Sequence, residues 1–246
     1  MIRCPAPRSA GGTHVERPAG SGHRPHGDFP MNSRFLGVMG ILGSMLLFTG
    51  DMFLYGQFGS GRDFNGNIMI VARDASQAGL FIGGLLGPIG AMLYIAGFWH
   101  LYLNTRPYSR SGSWIVFISL TCMMMFGGAY HTIWTVRMLI LKYSSAFVGG
   151  SNLFIDSFNG YFKALFNISL ASGTIGGMAL AILTVFKRSN YPRWIVAVNP
   201  AVLLLAIPLI EQAPPPFGSI IMGGSINIAF MIFFTVSVVA TRNKKD

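Results

Sequence analysis

Charge is what this chain has little of. Asp, Glu, Lys and Arg make up 11% of its 246 residues, against roughly a quarter in soluble domains, which excludes a large soluble domain. Cysteine is nearly absent as well. Of the 2 present, Cys4 precedes the apolar part of the chain and Cys122 lies within it, so no disulfide framework is implied. The 5 histidines, His14, His23, His26, His100 and His131, form no pair with each other or with cysteine at zinc-binding spacing inside an apolar run, and no metal is expected. A Gly-x-Ser-x-Gly elbow is missing, which disfavours a serine hydrolase. No nucleotide loop or cofactor motif appears either. The run Gly83-Gly84-Leu85-Leu86-Gly87 sits inside an apolar stretch, where it reads as packing rather than phosphate binding, and no cofactor is expected.

What the chain has is hydrophobic length. Six apolar stretches run from Phe35 to Tyr55, Ala78 to Leu103, Trp114 to Leu141, Tyr161 to Phe186, Trp194 to Ile210 and Phe217 to Thr241. A helix needs about 20 apolar residues to cross the hydrocarbon core, so five are long enough and Trp194 to Ile210 is marginal. Inside lipid only helices and closed barrels satisfy their backbone groups, and continuous runs without period-2 alternation exclude a barrel. The expected fold is therefore all-α, a polytopic bundle of six transmembrane helices over residues 31–246.

Basic residues set the expected orientation, since cytoplasmic loops carry the excess of Lys and Arg. Arg34, Arg106, Arg110, Lys187, Arg188, Arg193, Arg242, Lys244 and Lys245 fall on one side of the six stretches. Arg62, Arg73, Arg137, Lys142 and Lys163 fall on the other, where Asp51, Asp63, Asp74, Asp156 and Glu211 cancel them. Both termini are thus expected in the cytoplasm of a multi-pass cell-membrane protein. The formal charge of +10 is spread over short loops, so anionic lipid headgroups are the expected partners and nucleic acid is not. Arg137, Lys142 and Lys163 read as lipid-phosphate contacts, and His100, between Trp99 and Tyr102, as part of the inner aromatic belt. The sequence names no protein partner.

Residues 1–30 have another composition, with 5 of the 13 prolines, 3 of the 5 histidines and no apolar run. Without a hydrophobic centre they are not a secretory signal, and their Pro and Gly content argues against an amphipathic transit helix. Two readings stand: a disordered tail, or sequence that precedes a true start at Met31.

Glycine recurs at helical spacing. Gly37, Gly40 and Ser44 form one stripe, Gly83, Gly87 and Gly90 another, and Gly173 and Gly177 are four apart. Small residues so spaced let helices approach closely in lipid, and the reading for these is packing alone. Pro88, Pro200 and Pro208 are expected to kink their helices.

Polar residues inside the stretches carry the functional signal, because burying them in lipid is costly. Measured from the basic anchors at about 1.5 Å per residue, Asp51, His131, Asn167, Glu211 and Asn227 fall in one layer near the outer face. Asp51 shares its stripe with Leu47, Ser44, Gly40 and Gly37; His131 is one turn from Gly127 and Gly128, and Asn227 one turn from Gly223 and Gly224. The expectation is an outward-facing polar pocket built by these five and rimmed by Tyr55, Tyr130, Trp134 and Arg137. Asp51 and His131 are the candidate catalytic pair, since a carboxylate in reach of an imidazole can orient it and raise its basicity.

The segment Gly50-Asp51-Met52-Phe53-Leu54-Tyr55-Gly56, with Gly127-Gly128-Ala129-Tyr130-His131, resembles the signature of a bacterial family of uncharacterised multi-span membrane proteins. Gly50-Asp51-x-x-Leu54 is also similar to a motif of lysoplasmalogenase-like membrane hydrolases, which implies Asp51 as a catalytic acid; the second Asp motif and extra spans of those hydrolases are missing here. Three classes remain open: a membrane-embedded hydrolase acting on a lipid-like substrate, a transporter of small molecules, and a structural or sensory subunit. The two three-span halves show no internal similarity, which weighs against a transporter.

Overall fold

The computed structural model describes residues 32–143 and 151–242, with side chains for all of these except 65 and 151–156. The N-terminal segment, Cys4 and both terminal lysines lie outside the described residues. Among those described, every regular element is a helix.

Five helices are long and apolar enough to cross a membrane: α1 (Ser33–Tyr55), α4 (Gln77–Thr105), α5 (Arg110–Lys142), α6 (Ser151–Val185) and α9 (Gly218–Thr241). The starts of α1, α4 and α5 are capped locally. Asn32, Ser76 and Ser109 each turn a side-chain oxygen onto a first-turn amide, of Arg34, Gly79 and Gly112 respectively, filling donors that a helix start leaves open. Two short helices, α2 (Asp63–Gly66) and α3 (Ile68–Asp74), fold across the end where α1 finishes.

The stretch Trp194–Ile210 differs from the other five. It is not one helix but a 3₁₀ turn over Arg193–Val198, α7 (Pro200–Leu203), a second 3₁₀ turn over Leu204–Ala206 and α8 (Ile207–Ile210). Pro200 and Pro208 stand at the starts of α7 and α8, where a missing amide hydrogen costs nothing, whereas inside a continuous helix each would break a bond. Asn199 fixes the break: its Oδ1 caps Ala201 N at 3.0 Å and its Nδ2 donates to Gly177 O at 3.1 Å. The ends of the stretch are tied to opposite ends of the bundle. Asn190 N bonds Asn104 O near the end of α4, and Ala213 O accepts from Gly61 N beside the start of α9. A 3₁₀ turn rises about 2.0 Å per residue and an α turn about 1.5 Å, so the stretch covers about 30 Å. By contrast α4 runs unbroken through Pro88.

The helices pack in the ring order α9, α1, α4, α5, α6, with the broken stretch lying between α6 and α9. The α1–α4 seam is closest. A Cβ on Gly43 would stand 2.8 Å from Gly90 O and 2.9 Å from Tyr94 N, and one on Gly83 would stand 3.0 Å from Gly50 O. These two glycine pairs lie seven residues apart on each antiparallel helix, so backbone meets backbone, the contact that drives association in lipid. Below the seam, Tyr94, Phe98, Phe230 and Phe234 form an aromatic core with ring centroids 5.4–5.9 Å apart, in the offset and edge-on geometries that ring quadrupoles favour.

Candidate functional site

The close α1–α4 seam places Asp51, one turn before the end of α1, against residues of three other helices. Its carboxylate is 3% exposed. Oδ2 accepts from Asn227 Nδ2 of α9 at 2.6 Å, and Oδ1 accepts from the hydroxyl of Tyr55, one turn along α1. Asn227 is itself held, its Oδ1 accepting from Tyr94 OH of α4 at 2.8 Å. Three neutral donors therefore run in series and in parallel onto one buried carboxylate, which satisfies much of the cost of burying it.

His131 of α5 completes the group. Its Nε2 lies 3.1 Å from Asp51 Oδ1, yet neither ring nitrogen makes an aligned hydrogen bond. The contact is one of proximity, close enough for a proton to pass with a small reorientation. The ring is wedged between glycines of two helices. A Cβ on Gly50 would stand 2.8 Å from His131 Cε1, and one on Gly87 would stand 2.7 Å from Nδ1. Gly87, which reads from the sequence as packing, thus forms with Gly50 the slot that holds the imidazole.

The cluster closes one end of a cavity of about 120 Å³ lined by α1, α4, α5, α6, α9 and the broken stretch. Asp51, Tyr55, Tyr130, His131, Trp134 and Asn227 line its polar end. Leu120, Met123, Leu180, Phe230 and Phe233 line its apolar floor, and Asn199, Pro200 and Ala201 its side wall. Among the described residues, no Lys or Arg lines it.

The other residues expected in the pocket stand elsewhere. Asn167 is exposed on α6 and Glu211 is exposed after α8; neither lines the cavity. They share the height of Asp51 but not its direction, since height along a helix says nothing about which face a residue occupies. Arg137 lies behind the rim rather than in it, its guanidinium 4.5 Å from the Trp134 ring centroid and 4.9 Å from that of Phe162, a cation–π arrangement. Lys142 reaches back to the carbonyls of Arg73 and Ala75 at 2.7 and 2.8 Å and so caps α3, satisfying carbonyls that a helix end leaves open.

Sequence reasoning misses two features. Tyr94 falls on the stripe Gly83, Gly87, Gly90 extended by one turn, and that offset is the signal that finds it. A second polar cluster forms at the opposite end of the bundle. There His100, 0% exposed, sets Nδ1 2.8 Å from Ser33 O and Nε2 2.8 Å from Ser237 Oγ, and Ser237 bonds the Tyr191 hydroxyl at 2.9 Å. His100 therefore belongs to no surface belt, although Trp99 and Tyr102 beside it do stack, at 4.5 Å. Burial pushes the Tyr191 hydroxyl pKa well above its ordinary value, so it stays protonated and bonds as a neutral group. This cluster ties α1, α4, α9 and the turn after α6 together, a clamp with its hydrogen bonds made.

Residues 30–244 match the model of a family of unknown function, DUF6796. No curated protein and no solved structure matches the chain.

Proposed function

The chain belongs to the DUF6796 family of unknown function, and on that premise we propose that it is an integral membrane protein that binds a small lipid-like molecule in the cavity between its helices. One observation carries the reading: an otherwise apolar cavity ends on the buried cluster of Asp51, His131, Asn227 and Tyr55. Ligand sites have this composition, an apolar lining with a few convergent polar groups, and an ionisable group buried at membrane depth points to function rather than stability.

The same geometry favours a second reading, in which the site hydrolyses its ligand. His131 would take a proton from water with Asp51 steadying the imidazolium, as the 3.1 Å separation allows. One experiment separates the two. Protein purified from its membrane is extracted with organic solvent, and the bound molecules are compared by mass spectrometry with those from Met123→Trp, which fills the cavity floor. Binding predicts a near-stoichiometric amphiphile that Met123→Trp lacks; hydrolysis predicts in addition its conversion on incubation, lost in Asp51→Asn. Identical extracts from both proteins would remove the reading altogether.

We further propose six crossings with both termini cytoplasmic. In support, the broken stretch begins beside the end of α4 and ends beside the start of α9, and basic residues concentrate on the side of the termini. A reporter fused after Asp246 is expected to be active only when it is one that works in the cytoplasm; activity of a periplasmic reporter there would overturn the orientation.

A further inference from the structure

We propose that the cavity takes a cationic single-chain amphiphile, an alkylammonium, with its charged nitrogen at Asp51 and its chain along the apolar floor. This rests on the binding reading above and adds the charge and shape of the ligand.

The charge follows from what surrounds the carboxylate. A carboxylate offers about four lone-pair sites. Tyr55 OH and Asn227 Nδ2 take two of them, and both donors are neutral. His131 is near but not aligned, which leaves acceptor capacity on a buried anion. Among the described residues no Lys or Arg lines the cavity, and the basic side chain nearest the carboxylate, His131, is not aligned on it. Arg137, the basic residue one turn beyond Trp134, spends its guanidinium on the rings of Trp134 and Phe162.

A positively charged nitrogen fills that deficit. It would donate to Asp51 while the rings of Tyr55 and Tyr130 stand around it, and ring faces attract cations. The ring nitrogens of His131, which have no aligned partner, then offer the same ammonium an acceptor in the tautomer that leaves one of them unprotonated. An anionic head meets the opposite situation, set beside a carboxylate with no cation to screen it in a medium of low dielectric. A neutral head leaves the anion uncompensated. As for shape, a cavity of about 150 Å³ admits a benzene-sized molecule, so about 120 Å³ takes the head and the first few carbons of one chain, the rest of which runs out of the cavity, and excludes the body of a two-chain lipid.

The test uses three probes of equal length, octylammonium, octan-1-ol and octanoate, titrated against the full chain in nanodiscs of zwitterionic lipid, with empty nanodiscs subtracted. Octylammonium is expected to bind saturably and at least ten-fold more tightly than octan-1-ol, with octanoate weakest. Asp51→Asn is expected to lose at least ten-fold in octylammonium affinity while keeping that for octan-1-ol. Equal or tighter binding of octan-1-ol or octanoate overturns the charge assignment and leaves the binding reading standing. Undiminished octylammonium binding by Asp51→Asn overturns it too. If no probe binds saturably, the binding reading falls with it. The ranking of the three probes on the unaltered protein settles the charge even where Asp51→Asn fails to fold.

Discussion

Asp51→Ala is expected to lower stability by several kcal/mol, the largest single effect of any substitution in the polar cluster. The change orphans two buried donors, Tyr55 OH and Asn227 Nδ2, and each unsatisfied buried donor costs about 1–3 kcal/mol. Against this stands the relief of no longer burying a carboxylate, which makes replacement of buried ionic groups by apolar ones neutral or favourable in some proteins. That relief requires both partners to go. Asp51→Leu with Asn227→Leu would still orphan Tyr55 OH and Tyr94 OH, so it is these two changes combined with Tyr55→Phe and Tyr94→Phe that are expected to fall closer to the unaltered protein than Asp51→Ala does. Asp51→Asn is expected between them. Its amide oxygen still accepts from one neighbour, while its NH₂ confronts either the NH₂ of Asn227 or the hydroxyl of Tyr55. Reversible unfolding in detergent, followed by intrinsic fluorescence, reads all three. If Asp51→Ala unfolds within about 0.5 kcal/mol of the unaltered protein, the ordinary scatter of surface substitutions, the cluster contributes nothing to the fold.

The reach of the sequence in this protein follows from what lipid demands of a helix. Five helices able to cross a membrane are legible because the requirement is one of length and apolarity alone, and both are printed in the residues. The sixth stretch was legible as marginal, but its division into short α and 3₁₀ pieces depends on Asn199 finding Gly177 O across the bundle, a contact no local pattern contains. The site divides along the same line. Asp51, His131 and Asn227 each stood near glycines, and glycines mark the faces where helices meet, so height and face were both available. Asn167 and Glu211 offered height only, and they are exposed. Tyr94 escaped because a tyrosine in mid-span reads as one more apolar ring until its hydroxyl is seen on Asn227. His100 escaped for the opposite reason, its aromatic neighbours suggesting a surface belt while Ser33 and Ser237, 67 and 137 residues away, hold it inside. Hydrogen bonds between distant helices are therefore the part of this site that one-dimensional rulers leave out.

Gly87→Ala tests whether the glycine slot exists for the imidazole. The added Cβ would meet His131 Nδ1, Cγ and Cβ at 2.7, 2.9 and 3.0 Å, with no backbone of another helix among its three nearest atoms. The clash therefore falls on one side chain, and the ring must leave its place beside Asp51 or α4 must move away from α5. Overpacking of this kind costs about 1–3 kcal/mol. His131→Ala empties the same slot from the other side and carries the cost of a cavity. The two changes are complementary in volume, so the double variant is expected to be more stable than the sum of the singles predicts, by about 1 kcal/mol or more. A purely additive cycle would show that Gly87 does not serve to seat His131. Function supplies the sharper readout. If the imidazole acts beside Asp51, Gly87→Ala alone should reduce ligand binding or turnover as far as His131→Ala does, although it leaves every residue of the cluster in the sequence. Gly90→Ala is the control: its Cβ would meet Leu47 and Gly43 O, so it should perturb the packing of the same helix, on its α1 side, without displacing the ring. Equal functional loss in both variants would assign the effect to helix packing, and loss confined to Gly87→Ala assigns it to the position of His131.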